Sequence, residues 1–566
     1  MKKLFISALF LSGFLSFAQT AVSTLDPMQD KDLMTWYHKD FATSKVYGVN
    51  TANAYKFLES KGLKPKKVVV AVLDSGVQVD HPALKNNLWT NSNEIPGNGK
   101  DDDKNGYIDD VNGWDFIGGK DGEVGVDNLE ITRVIRQYKN IFEGSETAKN
   151  KANQAKMPEE FAMYLRSKDL FTKKSVDAKQ QYEFYSNFSK AIPSVVALLN
   201  GKNLTAESIA AIKPVTPDDV RYSQILSQIL NDPSVAGKSS QEVQTYLQAQ
   251  MKEALDYYEP QATKQYNLGF DPRSIVGDDY ANINEKYYGN NHYEGPDALH
   301  GTHVAGIIAG QPNDSEIQYG VGSKVAKIMT IRAVPDGDER DKDIANGIFY
   351  AVNNGAKIVN MSFGKSVSPG KEKVWEAFKY AQDKGVLLVH AAGNDNDDLE
   401  KEDNYPTNFK KQTDEKAFLN NVITVGASTN DNAHLRADFS NYNGKMVDVF
   451  APGKEIYSSV AGSKYQYLAG TSMASPVVAG SAAILLAYMP NLTPAQLIES
   501  FEKTVNKSTV NAEIKDAPEE TFDKVSVSGG VIDTYKAAVY AYDNFYKKSS
   551  VKTSVKKVKA KKKVKK

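Results

Sequence analysis

Short apolar runs alternate with amphipathic stretches between residues 326 and 427, and that alternation constrains the fold more than any other feature of the chain. Residues 326–334, 357–361, 386–389 and 421–427 are apolar and too short for helices, so they read as strands. Residues 343–354 and 372–384 have helical spacing and stop at Gly355 and Gly385. Strands joined by helices of this length form crossovers, so the sheet should be parallel. The expected class is α/β, with a doubly wound parallel sheet. Residues 68–73, all Val, Ala or Leu, add a strand buried on both faces and end at Asp74. Such sheets bind their ligands beyond the strand carboxyl ends, where Asp74, Ser362 and Asn394 fall.

Residues 467–476, Tyr-Leu-Ala-Gly-Thr-Ser-Met-Ala-Ser-Pro, lead into an Ala/Val/Leu run that ends near Tyr488. Pro476 is expected in the first turn of this helix, where its missing N–H has no intrahelical partner to lose. Ser472 then lies at the helix mouth, among free backbone N–H groups that suit an oxygen becoming an oxyanion or an ester. A lone serine there is an ordinary N-cap. It becomes a nucleophile when a base takes its proton, and His300 can do so. The imidazole needs an anion to fix its tautomer, and Asp74 is the buried acid at hand. The N–H of Ser472 and the side-chain amide of Asn394 are then the oxyanion donors. His303, three residues after His300, could share a metal with it, but Gly301 and Gly306 read instead as close backbone packing.

Five motifs follow one another in a fixed order: Val72-Leu-Asp74-Ser-Gly, His300-Gly-Thr-His-Val-Ala-Gly306, Asn360-Met-Ser-Phe-Gly364, Ala391-Ala-Gly-Asn394 and Gly470-Thr-Ser472-Met-Ala-Ser-Pro476. With them the chain resembles the subtilisin-like serine proteases over residues 41–119 and 271–545. The resemblance implies an Asp74, His300, Ser472 triad, Asn394 completing the oxyanion hole, and polypeptide substrates. It also implies that Ser362, Phe363 and Gly364, facing Ala392 and Gly393, wall the first specificity pocket. Asp336, Asp338 and Glu339 would then follow the strand leading to the non-primed cleft, and read either as a solvated acidic turn, the favoured reading, or as acids that select Lys or Arg two to four residues before the cut. Two departures stand out. Residues 19–67 leave no room for the family's usual inhibitory propeptide, and residues 120–270 have no counterpart in short subtilisins.

That insert is rich in Lys, Gln, Glu, Tyr and Ala and reads as helical. Ser239 and Glu242 form a capping box, followed by Val243, Leu247, Met251 and Ala254 at helical spacing. Thr205 opens another helix. Before the insert, Asp101-Asp-Asp103-Lys-Asn105-Gly-Tyr107-Ile-Asp109 sets oxygen ligands at alternate positions, the spacing of a calcium loop. Position twelve is Asn112 rather than a bidentate Glu, so the loop is only related to an EF-hand. Calcium is expected as a structural ion, bound by Asp101, Asp103, Asn105, Tyr107 and Asp109, and catalysis needs no cofactor.

The chain has no cysteine, which excludes disulfides, a thiolate nucleophile and thiolate metal sites. Residues 1–18 read as a signal peptide cleaved after Ala18, so the expected location is secreted or periplasmic. No later segment is expected to cross a membrane. The net charge of −1 hides eleven lysines between residues 547 and 566; without them the rest of the chain carries −12. A tail so charged cannot pack and reads as disordered. It offers a hold on an anionic surface or polymer; no specific nucleic acid is expected.

Two function classes compete. One is a secreted serine endopeptidase; the other is a catalytically weak binding or scaffold protein that uses the insert and tail for adhesion. The full set of Asp74, His300, Ser472 and Asn394 favours the enzyme, since a binder has no use for all of them.

Overall fold

The computed structural model of the protein describes residues 31–312 and 319–548, in two compact units. Val126–Asp271 forms one, and the residues before and after it form the other. The signal-peptide segment and the tail beyond residue 548 lie outside the described residues.

The larger unit is built on strands β1 (Val68–Asp74), β2 (Gly113–Asp115), β3 (Ala326–Arg332), β4 (Ile358–Met361), β5 (Leu387–Ala391), β6 (Val422–Ser428), β7 (Val449–Pro452), β8 (Ile456–Val460), β9 (Lys464–Leu468), β10 (Asn506–Lys507) and β11 (Gly530–Val531). Nine of them form one sheet, in the order β10-β11-β7-β6-β5-β4-β1-β3-β2, and only the edge pair β10–β11 is antiparallel. β8 and β9 make a separate antiparallel hairpin. Five helices position the site: α1 (Thr51–Ser60), α2 (Leu299–Ala309), α3 (Asp341–Asn353), α4 (Lys371–Asp383) and α5 (Thr471–Tyr488).

Alternation along β1 decides which helices meet which face. Val70 and Val72 share a core with Val304 and Ile308 of α2 and with Val477 and Val478 of α5. Ala71 and Leu73 face the other way, into a core with Ile344 and Ile348 of α3 and Phe378 of α4. Asp74 continues the parity of Val70 and Val72, so its side chain emerges on the face that carries α2 and α5. β1 is also where the winding reverses, with β3 on one side of it and β4 on the other. A crevice opens at such a switch point, beyond the strand carboxyl ends.

α5 starts at Thr471, so Pro476 is in its second turn rather than its first. An N–H at position 476 would have bonded the Ser472 carbonyl, four residues back. The Ser362 hydroxyl, just beyond β4, donates to that carbonyl instead, at 2.9 Å. A side chain from another element thus lets the helix begin earlier than its proline indicates. α5 is also long and apolar enough to cross a membrane by length and composition. Since 94% of it is buried in the fold, it is a core helix.

The smaller unit is helical. Its long elements are Glu130–Phe142, Pro158–Ala197 and Ser240–Pro260. Ser239 caps the last through the reciprocal bonds with Glu242 that the sequence pattern indicates, and Val243, Leu247 and Met251 are buried. Thr205 likewise caps Ala206–Ala210, with Ser208 as its partner.

Candidate active site

His300 is the second residue of α2, and Asp74 ends β1. Their approach depends on Gly301, where a Cβ would stand 2.1 Å from the Gly76 carbonyl oxygen. With no side chain there, α2 settles onto the end of β1 and His300 Nδ1 donates to Asp74 Oδ1 at 2.7 Å. Asp74 is buried, and its Oδ1 also accepts the Ser75 N–H at 2.8 Å. Its Oδ2 takes no hydrogen bond from the described residues. A buried carboxylate so sparsely paired favours a positive charge beside it. Burial alone would push the His300 pKa down, but the charge and hydrogen bond of Asp74, helped by Asp297, lift it above the ordinary 6.5. His303 differs: fully buried, it donates Nε2 to the Gln466 carbonyl at 3.1 Å, and burial drops its pKa to about 3. It is a core residue. Gly306 explains its neighbourhood, since a Cβ there would meet Ser459 Oγ at 2.2 Å.

α2 packs against α5, whose second residue is Ser472. The Ser472 hydroxyl donates to the Ser362 carbonyl at 3.1 Å. Asn394 follows β5, and its Oδ1 accepts both the Thr471 N–H and the Thr471 hydroxyl, each at 2.9 Å. Because a backbone N–H can only donate, that bond decides which end of the carboxamide is oxygen. Asn394 Nδ2 is therefore the free donor. The point where a Cβ on Gly470 would stand is 3.4 Å from that nitrogen and 3.6 Å from the Ser472 backbone nitrogen. Two donor nitrogens thus border one small space at the positive end of a long helix. Thr471 is the residue sequence reasoning missed here. Its Oγ1 also accepts the Gly393 N–H at 3.1 Å, so one buried hydroxyl ties the β5 exit to the start of α5.

The residues implied as pocket walls divide. A Cβ on Gly364 would stand 2.5 Å from Asn404 Oδ1, and one on Gly393 would stand 3.1 Å from Asn404 Nδ2. Both segments therefore lie against Asn404, which donates to the Ala392 carbonyl at 2.9 Å. Phe363 is buried, and its carbonyl accepts Nε2 of the buried His390 at 2.9 Å. Ser362 turns its hydroxyl toward α5 rather than toward the crevice. Of the three acids expected at the non-primed side, Asp336 is exposed and Asp338 partly so. Glu339 is buried, and burial raises its pKa against the pull of Lys365. Glu339 therefore cannot attract a substrate cation at the surface.

The residues named for the calcium loop also divide. One carboxylate oxygen each of Asp101, Asp103 and Glu94 lies within 4.8 Å of the others. Asp109, at φ 54°, accepts the N–H groups of Asn98 and Gly99, much as Glu94, Asp101 and Asp103 accept N–H groups of the loop, but its carboxylate is not part of that cluster. Asn105 Nδ2 donates to Asp110 Oδ2 at 3.0 Å, and the Tyr107 ring packs among Trp114, Phe116 and Tyr350, so the oxygen Tyr107 has to offer the loop is its backbone carbonyl. Glu94 was missed because it precedes the loop, and no spacing in the loop points back to it. Three hard oxygen donors converging this closely fit a divalent cation such as calcium.

An open sheet with a serine at a core-helix mouth and a histidine–carboxylate pair at its switch point is an arrangement that suits a serine nucleophile. Its sequence matches the Subtilase family (Peptidase_S8) over residues 65–524. The chain belongs to the subtilase family of serine peptidases. It is 35% identical over 310 residues to a thermophilic serine proteinase of Bacillus sp. (strain AK1), covering 54% of this chain and 63% of that protein. It is 37% identical over 247 residues to thermitase of Thermoactinomyces vulgaris, covering 43% of this chain and 75% of thermitase. The chain thus spans somewhat less than two thirds of the first relative's length. Among solved structures, proteases from Pseudoalteromonas arctica align at 20% identity over 91% of this chain and 98% of theirs, with a TM-score of 0.44.

Proposed function

We propose that this chain is a secreted serine endopeptidase that cleaves polypeptides through an acyl-enzyme on Ser472. The observation that carries the reading is the 2.7 Å bond from His300 Nδ1 to the buried Asp74. That bond puts the proton on Nδ1 and leaves Nε2 as the base. In the reaction Ser472 Oγ leaves the Ser362 carbonyl and gives its proton to Nε2. The oxygen then attacks the scissile carbonyl carbon, and the new C–O⁻ is held by Asn394 Nδ2–H and the Ser472 N–H. The imidazolium passes its proton to the leaving amine as the C–N bond breaks. A water, deprotonated by the same Nε2, then hydrolyses the ester. No cofactor takes part in these steps. Labelling with a fluorophosphonate, read by mass spectrometry, tests the assignment: the label is expected on Ser472, and its absence there rejects the reading.

We also propose that Glu94, Asp101 and Asp103 hold a structural calcium ion, which would tie the acidic loop down by neutralising their mutual repulsion. In a chain without disulfides such an ion stabilises the fold by about 2.7 kcal/mol when free calcium is a hundred times its Kd. Chelation is expected to lower the Tm of the wild type and to leave the Tm of a Glu94→Ala, Asp103→Ala variant unmoved. An equal chelator shift in the variant would reject the site. Export is proposed from the apolar N-terminal segment. The lysine-rich C-terminal segment is proposed to hold the enzyme to an anionic surface, by charge alone.

A further inference from the structure

We propose that Ser362 is a positioning residue, whose hydroxyl replaces the backbone N–H that Pro476 lacks and so fixes the turn of α5 carrying Ser472. The proposal rests on Ser472 being the nucleophile.

A proline in the second turn of a helix removes one rung and leaves the carbonyl four residues earlier without its donor. Here that carbonyl belongs to Ser472 itself, so the missing rung is the one that would set the nucleophile's own peptide. The Ser362 hydroxyl has a single proton, and it goes to the Ser472 carbonyl at 2.9 Å. Asn360 Nδ2 donates to Ser362 Oγ at 2.9 Å, which turns that one proton outward to α5. Ser475, three residues after the nucleophile, lies 2.8 Å from Ser362 Oγ and donates to Asn360 Oδ1 at 3.1 Å. Asn360, Ser362 and Ser475 are all buried. Either hydroxyl can donate across the Ser362–Ser475 contact, and buried groups joined this way hold the β4 exit and the first turns of α5 together.

The network joins the exit of β4 to the Ser472 carbonyl and to Ser475, on residues 110 or more positions apart in the chain. Ser362 also holds the nucleophile's hydroxyl on its own carbonyl. One residue therefore sets both ends of Ser472. This task differs from the pocket wall implied by the family resemblance, because the hydroxyl points into the protein and a substrate side chain would not meet it.

The test compares wild type, Ser362→Ala, Pro476→Ala and the double variant in the full chain, reading kcat, KM and the rate of fluorophosphonate acylation. Ser362→Ala is expected to lower kcat and the acylation rate on the order of tenfold to a hundredfold, the cost of a slightly misplaced reacting group. KM should hold, because the substrate touches neither hydroxyl nor rung. Pro476→Ala restores an N–H to the Ser472 carbonyl, so the double variant should match Pro476→Ala within about twofold. Wild-type rates in Ser362→Ala, or the same loss in both backgrounds, overturn the proposal. If Ser362→Ala does not fold alone, Pro476→Ala against the double variant decides it: equal rates support the proposal, and a tenfold gap rejects it. Failure of the wild type to label at Ser472 removes the nucleophile reading, and this proposal with it.

Discussion

Ser472→Ala and His300→Ala are each expected to lower kcat for peptide hydrolysis about a millionfold, with Asp74→Asn costing about ten-thousandfold. The first magnitude is that of subtilisin, a member of the same family, and the second is that of the Asp-to-Asn change in the chymotrypsin-type triad. The order has a structural reason. Without the oxygen or the base no acyl-enzyme forms, whereas Asp74→Asn removes only the group that fixes the imidazole's tautomer and charge. Turnover of a chromogenic peptide, with a melting curve to verify folding, checks all of them. A wild-type rate in any one would end the mechanism.

The same pair predicts the pH dependence. Because the His300 pKa is raised above 6.5, the acid limb of kcat/KM should have its midpoint above that value. Asp74→Asn should shift the limb downward in whatever activity remains. The stability effect has the opposite sense in pH. A raised histidine pKa means the folded state holds the proton more tightly than the unfolded chain does. The contribution is complete below pH 6.5 and is lost as the pH climbs through the folded-state value. His300→Ala should therefore lower Tm more at pH 5.5 than at pH 9. An equal penalty at both would mean that Asp74 does not hold a charged imidazole.

Asn394→Ala is expected to reduce kcat on the order of a hundredfold to a thousandfold, again the magnitude known from subtilisin, with KM little changed. The donor acts on charge that exists only as the tetrahedral oxyanion forms, so ground-state binding should not feel its loss. Asn394→Asp is the sharper test. An aspartate can still accept the Thr471 N–H and hydroxyl, which would keep the local geometry. It has no N–H to offer, and its charge would oppose the oxyanion. Asn394→Asp should be at least as slow as Asn394→Ala. If it matched the wild type, donation from this position would play no part. Thr471→Val should fall in between, because it removes the hydroxyl that orients the carboxamide but leaves the backbone bond.

The sequence alone fixed the repeating elements, because the signals that set them are local. The β1 apolar run and the ends of α3 and α4 at glycine-marked stops were all readable within a residue or two. The candidate site residues stand out for the same reason: each lies at a strand end or a helix mouth that its neighbours in sequence define. Proline, also a local signal, misplaced the start of α5, because the bond that compensates for it comes from Ser362. Tertiary structure alone decided the features that depend on long-range pairing: the strand order that puts β3 and β4 on either side of β1, and the burial of Glu339. It also brought Glu94 to Asp101 and Asp103, and it set the Thr471 and Asn360–Ser475 supports behind the nucleophile. A hydrogen bond between residues 77 or 115 positions apart leaves no periodicity in the chain. Its partners are chosen by how the sheet stacks its strands, which no single segment encodes.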